Sequence, residues 1–119
     1  MSPWILAAAL LGALGVMLGA FGAHGLAARV EPSSLESWRT AVQYHLIHVL
    51  LLLALGLYAQ QSGRSIALPA GLLCVGIVLF SGSIYALVLG GPRWLGPVTP
   101  LGGLALILAW LALVPLARD

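Results

Sequence analysis

Two histidines three residues apart, His45 and His48, lie within Thr40-Ala41-Val42-Gln43-Tyr44-His45-Leu46-Ile47-His48-Val49, a run that continues into leucines. Imidazoles can shuttle protons near neutral pH, ligate metals or hold a haem iron, and an unsatisfied one in hydrocarbon costs several kcal/mol. His24 closes the first apolar run, and Tyr44, Ser81, Tyr85 and Thr99 add hydroxyls. These seven residues are the candidates for a polar pocket. A bis-histidine haem needs imidazoles on opposite faces of the iron, which two residues three apart on one helix cannot supply. A three-histidine metal site lacks a matched carboxylate or thiolate, since Glu31 and Glu36 fall in a connecting segment. Proton relay suits imidazole, but no second carboxylate lies deeper to carry the proton across. The remaining role is structural: the histidines hydrogen-bond Ser81, Tyr85 or backbone carbonyls and fix helix register.

Nucleophile and phosphate signatures are equally thin. Gly19-Ala20-Phe21-Gly22-Ala23 has no lysine and follows no strand, so it is no phosphate loop. Phe80-Ser81-Gly82-Ser83 sits inside an apolar run rather than at a strand-to-helix turn. The expectation is a protein that is not an enzyme, with no catalytic residues, no cofactor and no metal.

The elements that would position these side chains follow from composition. Hydrophobic residues make up 61% of the 119 and charged ones 7%, against about 25% charged in soluble domains. The chain is therefore an integral membrane protein with no room for a separate soluble domain. A net charge of +2 without a basic cluster excludes nucleic-acid binding, and the lone Cys74 excludes an internal disulfide. Four apolar stretches, about 3–23, 38–60, 66–89 and 100–117, each approach the roughly 20 residues that cross a bilayer as a helix. The fold expected is all-α, a single domain forming an antiparallel four-helix membrane bundle.

Punctuation supports these spans. Ser33 and Glu36 make a capping box ahead of the second, Ser65 can cap the third, and Gly90-Gly91-Pro92 stops it. Thr99 before Pro100 reads as a cap on the fourth. Trp4, Trp38 and Trp94 fall near boundaries, as in an aromatic belt, whereas Trp110 lies deeper as a packing residue. The first run has no lysine or arginine before Arg29 and no Ala-x-Ala site at its end, so it reads as a retained span. Four spans put both termini on one side, with Arg64 and Arg118 there and Arg29, Arg39 and Arg93 opposite. That bias is too small to orient the chain.

Gly12, Gly15, Gly19 and Gly22 recur at steps of three and four and form one narrow stripe, edged by Ala8 and Ala23. Gly102, Ala105, Ala109 and Ala112 make a second. Smooth faces of this kind let backbones approach where lipid gives helices no hydrophobic drive to associate. They serve intramolecular packing, a seam between copies or a groove for a flat ligand, and spacing alone does not separate these. Counting inward at 1.5 Å per residue, Tyr85 and Ser81 lie roughly 6 and 12 Å deep, and His45 and His48 roughly 10 and 15 Å. The depths overlap, and His24 and Thr99 close the same end. One off-centre pocket is expected, with His48 meeting Ser81 or Tyr85 and His45 nearer water.

The segments Gly19-Ala20-Phe21-Gly22-Ala23-His24-Gly25-Leu26, Ala41-Val42-Gln43-Tyr44-His45-Leu46-Ile47-His48, Val78-Leu79-Phe80-Ser81-Gly82-Ser83-Ile84-Tyr85 and Val98-Thr99-Pro100-Leu101-Gly102-Gly103 together resemble the domain of unknown function 423 family. The resemblance covers nearly the whole chain, with the motifs in order. It implies a small membrane protein with four spans and carries no activity. His24, Tyr44, His48, Ser81, Tyr85 and Thr99 match its motif positions, while the position of His45 is often not histidine. The expected role is a structural, assembly or accessory subunit of a bacterial inner membrane, packing in the lipid bilayer against other subunits or itself. The alternative is a small translocator or binding protein for a proton, a metal ion or a quinone-like molecule.

Overall fold

Four helices long and apolar enough to cross a membrane make up nearly all of the computed structural model, which describes residues 1–118. α1 runs Pro3–Phe21, α2 Pro32–Ser62, α3 Ala67–Val88 and α4 Val98–Leu111, and no strand occurs among the described residues. Fourteen residues of α4 give about 21 Å of α-helix. The span is completed by a turn and the 3₁₀ segment Val114–Ala117. The 100–117 stretch expected as one helix breaks there because Pro115 has no N–H for the carbonyl one turn back and disfavours α geometry at Val114.

Helix ends show which local cues acted. Ser2 Oγ accepts from the Ile5 N–H at 3.2 Å, with Pro3 in the first turn. The Ser33/Glu36 capping box does not form: α2 starts a residue earlier at Pro32, and no side chain caps it. Proline there presets φ and has no N–H to satisfy. Ser33 instead offers its carbonyl to Ser37 Oγ at 3.2 Å. Ser65 Oγ accepts from the Ala67 N–H at 3.4 Å. α2 ends at Gly63 with φ 74°, and Gly90 takes φ 95° after α3. Thr99 lies inside α4 rather than capping it, because Pro97 already occupies the N-cap position.

Neighbours in sequence pack as antiparallel neighbours in space. A Cβ on Gly12, Gly15, Gly19 or Gly22 would meet Val49, Leu46, Val42 or Trp38 in turn, so the α1 stripe lies against α2. Between α3 and α4 the contacts run Gly76 with Leu106, Gly102 with Phe80 and Ser83 with Thr99. Ala105 and Ala109 are buried on the same face of α4. Both stripes thus serve intramolecular packing. The core between them gathers Leu52, Leu55, Ala70, Leu73, Ile77 and Leu106. Away from it, exposed Leu10, Leu50, Leu68, Val78 and Leu111 give an apolar outer surface, as lipid demands of spanning helices.

At the end shared by the termini, Arg64 fastens the last segment. Its guanidinium donates to the Tyr58 hydroxyl at 3.0 Å and to the carbonyls of Pro115, Leu116 and Arg118 at 3.0, 3.1 and 2.9 Å. Cysteines introduced at Ser2 and at Arg118 should react with an impermeant maleimide from one side only. Labelling from opposite sides would overturn the four-span arrangement.

Candidate functional site

α2 carries the polar residues of the membrane interior, and its neighbours decide what each can reach. His45 is 2% exposed and bridges three helices. Its Nε2 lies 2.8 Å from the carbonyl oxygen of Leu11 on α1, and its Nδ1 lies 2.9 Å from the hydroxyl of Tyr85 on α3. A carbonyl only accepts, so Nε2–H donates to Leu11, while the Tyr85 hydroxyl can either give or take the bond at Nδ1. Both ring nitrogens are thus engaged by protein partners.

Glycine makes this contact possible. The Leu11 carbonyl sits one turn before Gly15, and a Cβ at Gly15 would stand 3.2 Å from His45 Nε2. The same device recurs seven residues away. Trp38 Nε1–H donates to the Leu18 carbonyl at 2.9 Å, one turn before Gly22, where a Cβ would meet the indole at 2.6 Å. Two α2 donors spaced two turns apart thus reach two α1 carbonyls spaced two turns apart. The Leu18 carbonyl also keeps its bond from the Gly22 N–H, and the π-helical turn Gly22–Leu26 begins there. Trp38 is 1% exposed, so it is a buried interhelical anchor rather than a lipid-facing belt residue. Its ring packs on Tyr85, with centroids 4.7 Å apart, and on Phe21 at 5.7 Å.

His48 has different partners from those expected. It meets neither Ser81 nor Tyr85. Nδ1–H donates to the Tyr44 carbonyl at 2.6 Å, and Nε2 accepts the Trp110 Nε1–H from α4 at 3.0 Å. An indole N–H only donates, so this imidazole is fixed as one neutral tautomer. Trp110, expected as a packing residue, is a hydrogen-bond donor to α2. Ser81 is 1% exposed and donates to the Ala41 carbonyl at 2.7 Å. Thr99 Oγ1 meets Ser83 Oγ, which also bonds the Phe80 carbonyl. Ser83 was missed because on a wheel it points away from Ser81 and Tyr85, and that direction is where α4 lies.

The single pocket thus resolves into separate polar contacts. His45 and Tyr85 meet between α1, α2 and α3, with Ser81 on the α2 backbone nearby. His48 and Trp110 join α2 to α4. His24 is exposed in the π-helical turn and takes no part. Tyr44 is 43% exposed and lies near-parallel to His48, at 16° with centroids 6.0 Å apart. Among the described residues no three histidine, cysteine or acidic side chains come together as a metal site would need. Every buried side-chain nitrogen or oxygen described has a hydrogen-bond partner.

Comparison with known proteins gives a consistent picture. Residues 18–103 match the profile of a family described as "Protein of unknown function (DUF423)". The chain is 44% identical over 116 residues to the UPF0382 membrane protein YwdK of Bacillus subtilis, covering 96% of this chain and 94% of that protein. It is 42% identical over 109 residues to the UPF0382 membrane protein SERP0230 of Staphylococcus epidermidis, covering 88% and 89%. A UPF0382 membrane protein of the yeast Schizosaccharomyces pombe is 42% identical over 113 residues, covering 90% and 94%. No solved structure matches.

Proposed function

The chain belongs to the DUF423 family of membrane proteins, and from that premise we propose a non-enzymatic accessory role, in which the protein packs against membrane partners and performs no chemistry at its histidines. One observation carries this reading. Each ring nitrogen of both intramembrane imidazoles is committed to a protein partner, and at His48 the Trp110 N–H fixes Nε2 as the acceptor. A proton arriving at His48 Nε2 would have to displace the Trp110 N–H, which cannot turn round and accept. A metal would have to displace it too. Such saturated networks specify register and rigidity. Helical spans rather than a closed barrel, together with the bacterial relatives, favour the inner membrane of a bacterium, where the partners would be other membrane subunits or a second copy.

Two measurements test this role. Extracted in mild detergent at its natural abundance, the protein should elute with a larger assembly, and elution as a lone monomer would count against it. Reconstituted in vesicles with an internal pH dye, it should pass no more protons than empty vesicles pass. A proton flux removed by His48→Gln, whose amide can still accept from Trp110 but does not titrate, would replace the accessory reading with a relay.

A further inference from the structure

A cleft of about 580 Å³ opens sideways between α2 and α4, with Phe80 of α3 among its lining residues. That volume lies within the range of small-molecule sites. Its walls are aromatic: Tyr44 packs on Phe80, with centroids 4.9 Å apart, and Trp110 stands edge-on to His48 at 75°. None of the lining residues is charged. Tyr44 and Trp110 are 43% and 47% exposed, so the cleft faces the lipid rather than the protein interior. Gly103 leaves space on the α4 side, where a Cβ would stand 3.6 Å from the Phe80 ring, an ordinary contact.

The polar groups are unevenly placed. His48 and Trp110, at the deeper end, are saturated by each other and by the Tyr44 carbonyl. The Tyr44 hydroxyl and the Gln43 amide line the end nearer the start of α2 and bond no other described side chain or backbone group. Both can donate, roughly 7–9 Å along the helix from Trp38. Donors left open in an aromatic slot without charge suit an uncharged ligand with hydrogen-bond-accepting oxygens and a flat ring. A tail is accommodated because the cleft opens to lipid.

We propose that this cleft binds a neutral, membrane-dissolved ring compound of the quinone class, its carbonyl oxygens accepting from Tyr44 and Gln43 and its ring lying against Tyr44, Phe80 and Trp110. The proposal concerns binding alone, with no electron transfer, and it stands apart from the accessory role. A phospholipid headgroup is disfavoured because no cation lines the cleft to meet its phosphate.

Tryptophan fluorescence provides the test, because Trp110 lines the site and quinones quench indoles on contact. The protein carrying Trp4→Phe and Trp94→Phe is titrated in nanodiscs with decylubiquinone. Saturable quenching is expected, with Gly103→Leu weakening the apparent affinity about tenfold by filling the slot and Tyr44→Phe about fivefold by removing one donor. Both variants should keep the parent's helical content and thermal unfolding, since neither touches a buried helix contact. Quenching that rises linearly with quinone would mean random collision in the bilayer and overturn the proposal. So would saturable quenching equal in all three proteins. Recovery of the fluorescence on adding dodecanol, which does not quench indole, would assign the cleft to a lipid tail instead.

Discussion

Gly102→Ala should destabilise this protein by about 3 kcal/mol, the upper part of the range for overpacking, although it adds a single methyl group. That methyl would collide with backbone atoms of α3, the Phe80 nitrogen and α-carbon and the Leu79 carbonyl carbon. No side-chain rotation can relieve a backbone collision, so α3 and α4 must move apart and loosen the packing of Gly76 on Leu106 and of Ser83 on Thr99. The adjacent position supplies the control. Gly103→Ala meets only the Phe80 ring at 3.6 Å, and should be neutral or gain up to about 1 kcal/mol from better helix propensity. Reversible unfolding in mixed micelles measures both. Equal stability of the two variants would mean that α3 and α4 do not cross at Gly102.

His45→Leu carries the second large effect, roughly 2–3 kcal/mol. Leucine fills similar space but leaves the Tyr85 hydroxyl without its partner on α2 and the Leu11 carbonyl without the side-chain donor, and it cuts the tie linking α1, α2 and α3. Interhelical hydrogen bonds in membranes average about 0.6 kcal/mol and reach about 1.7. Two of them at a fully buried ring belong at the upper end. His48→Leu loses one interhelical bond, from Trp110, and should cost roughly 1 kcal/mol. This order reverses the one that depth along the helix suggests. Adding Tyr85→Phe removes the stranded hydroxyl, so the double variant should be less destabilised than the sum of the singles by about 1 kcal/mol. Strict additivity would show that His45 and Tyr85 do not interact.

The amino-acid sequence by itself determined the class of molecule and most of its local architecture. An apolar chain with four bilayer-length runs, a Gly90-Gly91-Pro92 stop and almost no charge has no soluble alternative. The small-residue stripes were legible too, because helical spacing alone places Gly12, Gly15, Gly19 and Gly22 on one face. Where prolines and hydroxyls competed at a helix start, the sequence misled: Pro32 and Pro97 fixed the starts of α2 and α4, leaving Ser33 and Thr99 for other bonds.

Which polar side chain meets which was decided only by the tertiary structure. Side chains on a helix lean toward its N-terminus. On antiparallel α2 and α3 they therefore lean in opposite directions, which brings His45 to Tyr85 and away from the pairing that Cα depth suggests. His45 and His48 are also about 60° apart around α2, so when the first turns toward α1 the second turns toward α4. That rotation is set by Trp38 and His45 reaching the Leu18 and Leu11 carbonyls beside Gly22 and Gly15. A backbone carbonyl is present at every residue and leaves no mark in a sequence. Only the approach of two helices at a glycine exposes a particular one to a donor, and so the histidine partners became visible only when the helices were packed.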